Sequence, residues 1–188
     1  MKRCWQVTDP LLIHYHDKEW GTPVHDERLH FEFLLLESFQ AGLNWTMMLK
    51  KRESFRKAFD NFNPRKISLY KESKLTALLA DPGIIRNRRK ISAAVNNAQK
   101  FLEVSREFGS FDRYIWSFVD GKPVHNSWKK WEQVPTTSPV SDALSLDLRK
   151  RGFKFVGSTS MYAHMQSIGM VNDHLTFCFR WKELQNGR

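Results

Sequence analysis

Apolar positions along this chain recur at helical rather than strand spacing, and the run at residues 31–36, FEFLLL, sets the pattern. Asp26 reads as the N-cap of a helix reaching about Gln40, with Leu29, Phe33 and Leu36 buried. Gly42 follows the last periodic residue, as a left-handed C-terminal cap requires, and Asn44 is placed to cap a helix starting at Trp45. That second helix turns Trp45, Met48, Leu49, Phe55 and Phe59 inward and leaves Lys50, Lys51, Arg52, Arg56 and Lys57 to an exposed face. Asn63-Pro64 starts a further turn, and Ser73 caps the short helix KLTALLA. A long amphipathic helix follows Asp81-Pro82-Gly83, with Ile91, Ala94, Val95, Ala98, Phe101 and Leu102 on one face and Gly109 as its stop.

Farther on, Ser110 caps FDRYIWSFV, and Ser141 caps SDALSLDLRKR, which Gly152 ends. Residues 153–156 read as a short extended link. Ser158 opens STSMYAHMQSI, which Gly169 ends, and Asn172 or Asp173 opens a last helix, DHLTFCFRWKEL, before a frayed QNGR. Two stretches lack periodicity. Residues 4–20 read as irregular, yet they are too rich in Trp and Tyr for a free arm, so packing is expected. Residues 124–140 read as a loop with Trp128 and Trp131 exposed. No strand pair is predicted, so the fold class is all-α.

Charge changes the picture. The 188 residues carry 30 Lys and Arg against 20 Asp and Glu, a net +10, which favours a polyanionic partner, nucleic acid ahead of an anionic membrane. No apolar run approaches membrane-spanning length, and the mean hydropathy is −0.53. The N-terminus MKRCWQVTDPLL lacks the apolar core of a signal peptide, so a cytoplasmic protein is expected. In that compartment the 2 cysteines are thiols or metal ligands rather than a disulfide. The 7 tryptophans exceed what a core of this size needs and suit stacking on bases.

Three constellations carry chemistry. Glu37 sits in the last turn of an otherwise apolar helix, with Trp45 opening the next. A buried carboxylate costs several kcal/mol unless something polar or cationic meets it. Glu37 is therefore either a structural acid paired with a nearby Lys or Arg, or part of a pocket in which an acid and an aromatic plate receive a flat, electron-poor ligand. Second, the turn at Gly83 between two helices, beside Arg86, Arg88, Arg89 and Lys90, is either an ordinary helical turn or a helix-hairpin-helix whose backbone amides face a phosphate. Third, His174 and Cys178, spaced to share one helical face, join Cys4 and His16 in a candidate closed Cys2His2 set for structural zinc. Two unrelated buried thiols are the alternative, since the spacing matches no standard finger. Asp17 and Asp173, each next to a histidine, are candidate acceptors behind the ligands. Ser-His-Asp order, a phosphate-cradling Gly-rich loop and HExxH are all absent.

The segments CWQVTDPLLIHYHDKEWG, ESFQAGLNWTMMLKKRESFR, GIIRNRRKI and SDALSLDLRKRGFKFVGSTSMYAHMQSIGMVNDH, with the closing Cys178, resemble the bacterial 3-methyladenine DNA glycosylase I family across nearly the whole chain. The resemblance implies a single glycosylase domain, residues 1–188, of two helical lobes with a helix-hairpin-helix and a zinc clip joining the N- and C-terminal segments. It implies a monofunctional enzyme that flips a nucleotide from double-stranded DNA and hydrolyses the N-glycosidic bond of 3-methyladenine. Glu37 would accept hydrogen bonds from the base, Tyr15 and Trp45 would sandwich it, and Trp20 would wall the pocket. Leu43 would wedge into the vacated stack, while the hairpin at Gly83, with Arg86, would hold backbone phosphate. Cys4, His16, His174 and Cys178 would hold one zinc. A monomer that hands its abasic product to downstream repair enzymes is expected. The family often has tyrosine where this chain has Leu12, which puts one polar pocket contact in doubt. The competing reading is a zinc-stabilised nucleic-acid-binding module without catalysis; it would tolerate Glu37→Gln, whereas a glycosylase would not.

Overall fold

The computed structural model describes residues 2–40 and 42–186. Its helices are α1 (Pro10–Lys18), α2 (Glu27–Gln40), α3 (Trp45–Ala58), α4 (Pro64–Ile67), α5 (Glu72–Ala80), α6 (Arg88–Phe108), α7 (Phe111–Trp116), α8 (Pro139–Lys150), α9 (Ser158–Ser167) and α10 (Phe179–Gln185). The all-α expectation holds, with one addition. Val124–His125 (β1) and Val171–Asn172 (β2) form a parallel pair with Val124 opposite Val171 and His125 opposite Asn172. Two residues per strand leave no alternation for a sequence pattern to reveal.

Helix α2 is the axis of the molecule. Residues 30–39 are all buried, on every side of the helix, and α2 packs against α3, α6, α7 and α9. A helix that is apolar all round belongs in a core rather than on its rim. Around it runs one continuous apolar core from Cys4 to Cys178. Phe39 meets Phe55 edge-on at 4.9 Å, and Phe101 stacks on Phe111 at 4.2 Å.

Two carboxylates on α2 must be reconciled with that burial. Glu32 is fully buried and meets three cations: Arg28 Nη1 at 2.7 Å, Arg52 Nε at 2.6 Å and Arg56 Nη2 at 2.9 Å. Arg52 and Arg56 are thus drawn inward, not spread over the exposed face expected of them. The buried carboxylate overrides the amphipathic pattern of α3. Glu37 is the other, and it lies at the site.

Several boundaries follow their caps as expected. Asp26 accepts from Leu29 N at 2.8 Å, Asn44 from Thr46 N at 2.7 Å and Ser110 from Arg113 N at 3.0 Å, while Gly109 takes the left-handed φ of 85°. Others differ. Helix α1 occupies most of the stretch expected to be irregular, capped by Asp9 with Pro10 at its first position. Ser73 lies inside α5, whose N-cap Lys71 makes no side-chain cap bond. Ser138, not Ser141, caps α8; Ser141 is the reciprocal partner three residues on. Residues 153–156 form no strand, and 154–155 form a bend with Phe155 at φ 57°. No helix spans 172–178: α10 begins at Phe179. Gln185 completes α10 rather than fraying, and residues 187–188 lie outside the described residues.

The two ends of the chain are tied together by backbone. Gly21 N donates to Gln166 O at 2.9 Å, Val24 N to Ile168 O at 3.0 Å, and Phe179 N to Lys2 O at 3.1 Å. The crossing at Gly169 leaves no room for a side chain, because a Cβ there would lie 2.3 Å from the carbonyl carbon of Thr22. Asp173 locks the 124–131 segment onto this junction, accepting from Asn126 Nδ2, Trp128 Nε1 and Tyr162 OH at 2.7 Å and from Gln166 Nε2 at 2.8 Å. Trp128 is consequently half-buried rather than exposed.

Candidate functional site

Where the C-terminal end of α2 meets α1, α3 and α9, a cavity of about 270 Å³ opens, lined by Trp5, Tyr15, Trp20, Glu37, Gln40, Trp45, Trp131, Ala163, Gln166 and Ser167. Four sequence-predicted residues, Tyr15, Trp20, Glu37 and Trp45, meet here. The Tyr15 and Trp45 rings lie 5.5 Å apart at 51°. Trp20 packs against Trp5 at 5.0 Å and against Trp131 at 6.1 Å, so three indoles wall one side.

Glu37 is 2% exposed. Its only hydrogen-bond partner among the described residues is Ser167, whose hydroxyl donates to Oε1 at 2.8 Å. Ser167 in turn accepts from Tyr15 OH at 3.0 Å. Among the described residues no Lys or Arg pairs with Glu37; Arg28, Arg52 and Arg56 serve Glu32 instead. Burial accordingly pushes the Glu37 carboxyl up to about 8, against the opposing pull of the Ser167 hydrogen bond. The Tyr15 hydroxyl is pushed above its ordinary range by burial and then by the proximity of Glu37. An acid that is buried, unneutralised and open to an aromatic cavity is arranged for an incoming positive charge.

The turn after α2 runs between two residues that line this cavity, Gln40 and Trp45. Gly42 takes φ 79°, and Gln40 Nε2 donates to Leu43 O at 2.7 Å, which fixes the half-buried Leu43 next to two lining residues, Gln40 and Trp45. Leu12 packs against the core and is not part of the lining.

At the α5–α6 turn, Gly83 sits in close quarters: a Cβ would lie 2.9 Å from Asp81 Oδ1 and 3.0 Å from Ser54 Cβ. Its amide donates to Asp81 Oδ1 at 2.7 Å, and Lys51 Nζ donates to Pro82 O at 3.0 Å and Gly83 O at 3.2 Å. The Gly83 amide is therefore engaged internally, whereas Arg86, Arg88 and Arg89 are exposed at the start of α6.

Cys4, His16, His174 and Cys178 come together, all buried, with their ligand atoms within 4.8 Å of one another. Cys4 Sγ lies 3.3 Å from His16 Nε2 and 3.5 Å from His174 Nδ1; Cys178 Sγ lies 3.6 Å and 3.5 Å from the same atoms. The expected reason for the His174–Cys178 pairing was a shared helical face. Instead, an irregular turn ahead of α10 brings them together. The outward nitrogens are held from behind: His16 Nδ1 lies 2.7 Å from Asp17 Oδ1, and His174 Nε2 lies 3.0 Å from the Trp20 carbonyl. Asp17 thus stands where expected, while Asp173 serves the loop contacts instead. Hydrogen bonding within the cluster pulls the Cys178 thiol below its ordinary range, and hydrogen bonding together with burial pushes Cys4 up.

Sequence reasoning left Trp5, Gln40, Trp131, Ala163, Gln166 and Ser167 without a role in the cavity. Trp131 reaches it from a loop because its Nε1 donates to Cys4 O at 2.8 Å, a pairing that no local pattern encodes.

The comparisons agree with this geometry. A family model described as methyladenine glycosylase matches residues 5–181. DNA-3-methyladenine glycosylase 1 of Escherichia coli is 45% identical over 179 residues, covering 95% of this chain and 96% of that protein. A crystal structure of 3-methyladenine DNA glycosylase I superposes with a TM-score of 0.92 at 48% identity, covering 95% of this chain and 98% of that one. A variant of a 3-methyladenine DNA glycosylase I in complex with 3-methyladenine superposes with a TM-score of 0.92 at 34% identity, covering 95% of this chain and 97% of that one. With a match that runs almost end to end, the chain belongs to the methyladenine glycosylase family.

Proposed function

We propose that this protein is a monofunctional DNA glycosylase that takes a 3-methyladenine nucleotide out of the duplex and hydrolyses its N-glycosidic bond, leaving an abasic site. One observation carries the reading: Glu37 is buried without a cation at the wall of an aromatic cavity. Methylation at N3 gives the adenine of the nucleotide a positive charge, so the glycosidic electron pair has an acceptor already in place. Tyr15 and Trp45 supply electron-rich faces, and a cation over such a face gains roughly 0.5–2 kcal/mol. Glu37 gains more: the base brings the charge that burial has denied it, which draws the carboxyl back to its ionised form. Neutral adenine brings none. Selectivity therefore comes from electrostatics as well as shape. As the bond to C1′ breaks, its electrons neutralise the base, water bonds to C1′ and gives its proton to solvent, and Glu37 acts as recognition group and electrostatic stabiliser rather than covalent nucleophile.

The remaining roles follow from position. Trp20 walls the cavity, Leu43 on its fixed turn enters the stack the base has left, and the Gly83 hairpin with Arg86 faces the backbone. The Gly83 amide being engaged, backbone contact falls to the amides and arginines that follow it. Cys4, His16, His174 and Cys178 hold a structural zinc. Tetrahedral zinc with Zn–S about 2.3 Å and Zn–N about 2.0 Å needs S···N edges of about 3.5 Å, close to the 3.3–3.6 Å spacings here. A closed set of two thiols and two histidines leaves no position for water, so its part is to clip the chain ends and hold α1, with Tyr15, against the cavity. One domain over residues 1–188 is the matching reading, supported by the single core. Among the described residues no helix is long and apolar enough to cross a membrane. A cytoplasmic monomer acting on DNA and followed by abasic-site repair enzymes completes the proposal.

The test is direct. Purified protein incubated with methylated duplex DNA should release free 3-methyladenine and leave unmethylated DNA untouched. Binding to DNA with no base released would favour a binding module instead.

A further inference from the structure

We propose that Ser167 is the positioning residue for Glu37, accepting from Tyr15 and donating to Oε1 so that Oε2 alone is left to meet the base. The inference rests on the reading of Glu37 given above.

The geometry has one polarity. A tyrosine hydroxyl has a single proton, and that of Tyr15 goes to Ser167 Oγ at 3.0 Å. The single hydroxyl proton of Ser167 goes to Glu37 Oε1 at 2.8 Å. Each hydroxyl donor is thereby spent, and Oε1 is the acceptor of the second bond. Oε2 has no partner among the described residues. All three side chains are at most 2% exposed, so water does not compete for these bonds. These two hydrogen bonds also span three elements, α1 through Tyr15, α2 through Glu37 and α9 through Ser167.

Ser167 is rigidly mounted. It is the last residue of α9, and the carbonyls on either side of it, of Gln166 and Ile168, accept from Gly21 and Val24. The other groups facing Glu37 across the cavity are neutral: Gln40 of its own helix, Trp45 from α3 and Gln166 from α9. Glu19 and Arg52 act on the Tyr15 hydroxyl, with opposite signs, and not on Glu37. Among the described residues the hydroxyl of Ser167 is thus the single group that favours the ionised carboxylate in the free protein.

The experiment is the pH profile of single-turnover 3-methyladenine release from methylated duplex by the full chain, its Glu37→Gln variant, Ser167→Ala and Ser167→Thr, with thermal unfolding followed in parallel. The wild type should show a limb that rises with pH and is absent from Glu37→Gln. Ser167→Ala should fold normally, move that limb up by about one pH unit and lose roughly ten-fold in rate at neutral pH. Ser167→Thr, which keeps the hydroxyl, should keep the wild-type limb. An unmoved limb in Ser167→Ala, or an equal shift in Ser167→Thr, overturns the proposal, because a packing role alone would then suffice. If Glu37→Gln retains the wild-type limb, the Glu37 reading itself fails and takes this one with it.

Discussion

Glu32 and Glu37 lie on one buried helix, and among the described residues only Glu32 is met by cations. Arg28, Arg52 and Arg56 surround Glu32, whereas Glu37 has one hydroxyl, that of Ser167. The same residue type on the same element is structural in one place and poised in the other, and the difference is entirely in what the neighbouring helices contribute.

The two should therefore respond in opposite ways to loss of charge. Glu32→Gln leaves inward-drawn guanidinium groups without their partner and should cost about 3–5 kcal/mol at neutral pH. Glu37→Gln should stabilise. Because the folded carboxyl titrates near 8 against an ordinary 4.5, the folded protein keeps a proton that the unfolded chain releases. Stability from this group is full below pH 4.5 and is lost as pH rises through 8. Denaturant unfolding should show no advantage for Glu37→Gln at acid pH and one of roughly 2–4 kcal/mol at alkaline pH. A constant difference across the range would contradict this.

His164 works in the other direction. It is fully buried with both ring nitrogens unpartnered, and burial, helped by His30, depresses it to about 3. The unfolded chain takes up a proton below about 6.5 that the folded one refuses, so its contribution is present above that pH and is lost as pH falls toward 3. His164→Leu should raise acid stability by about 1–3 kcal/mol and change little at pH 8, as measured by unfolding at the two pH values.

Metal should matter for structure before chemistry. Chelation, or Cys178→Ala, should lower stability by on the order of 3 kcal/mol or more. It should also slow base release, because His16 and Tyr15 are neighbours on α1. Metal analysis of the purified protein should find zinc near one per chain. Metal-free protein with unchanged unfolding would remove the clip from the account.

Gly169 offers a separate check on how the ends are joined. Its φ of 73° and the absence of space against Thr22 mean that Gly169→Ala must push two backbone segments apart. A loss of about 3 kcal/mol or more in thermal or chemical unfolding is expected, with the metal still bound.

Much of the fold was legible because caps are local: Asp26, Asn44 and Ser110 mark helix starts through side chains that accept from amides within three residues, and Gly109 marks a helix end through its left-handed φ. Glu37 and Trp45 were legible because a carboxylate in an apolar run and an indole after a Gly turn are unusual in composition. The metal set was found for partly the wrong reason. His174 and Cys178 converge through an irregular turn fixed by contacts with residues 2–20, which no helical period describes. Ser167 and Trp131 left no local signal at all: each gains its place from a partner more than a hundred residues away, Glu37 and Cys4. Arg52 and Arg56 misled, since long stems let them reach a buried acid from positions that read as surface.

The central claim is that a buried, cation-free carboxylate receives the charged base. Single-turnover excision of 3-methyladenine by wild type and Glu37→Gln, at saturating enzyme and equal DNA occupancy, tests it most directly. The account predicts a folded, DNA-binding variant whose excision rate falls by roughly 10²–10³. A variant that excises at the wild-type rate would contradict it and leave Glu37 a bystander in its own pocket.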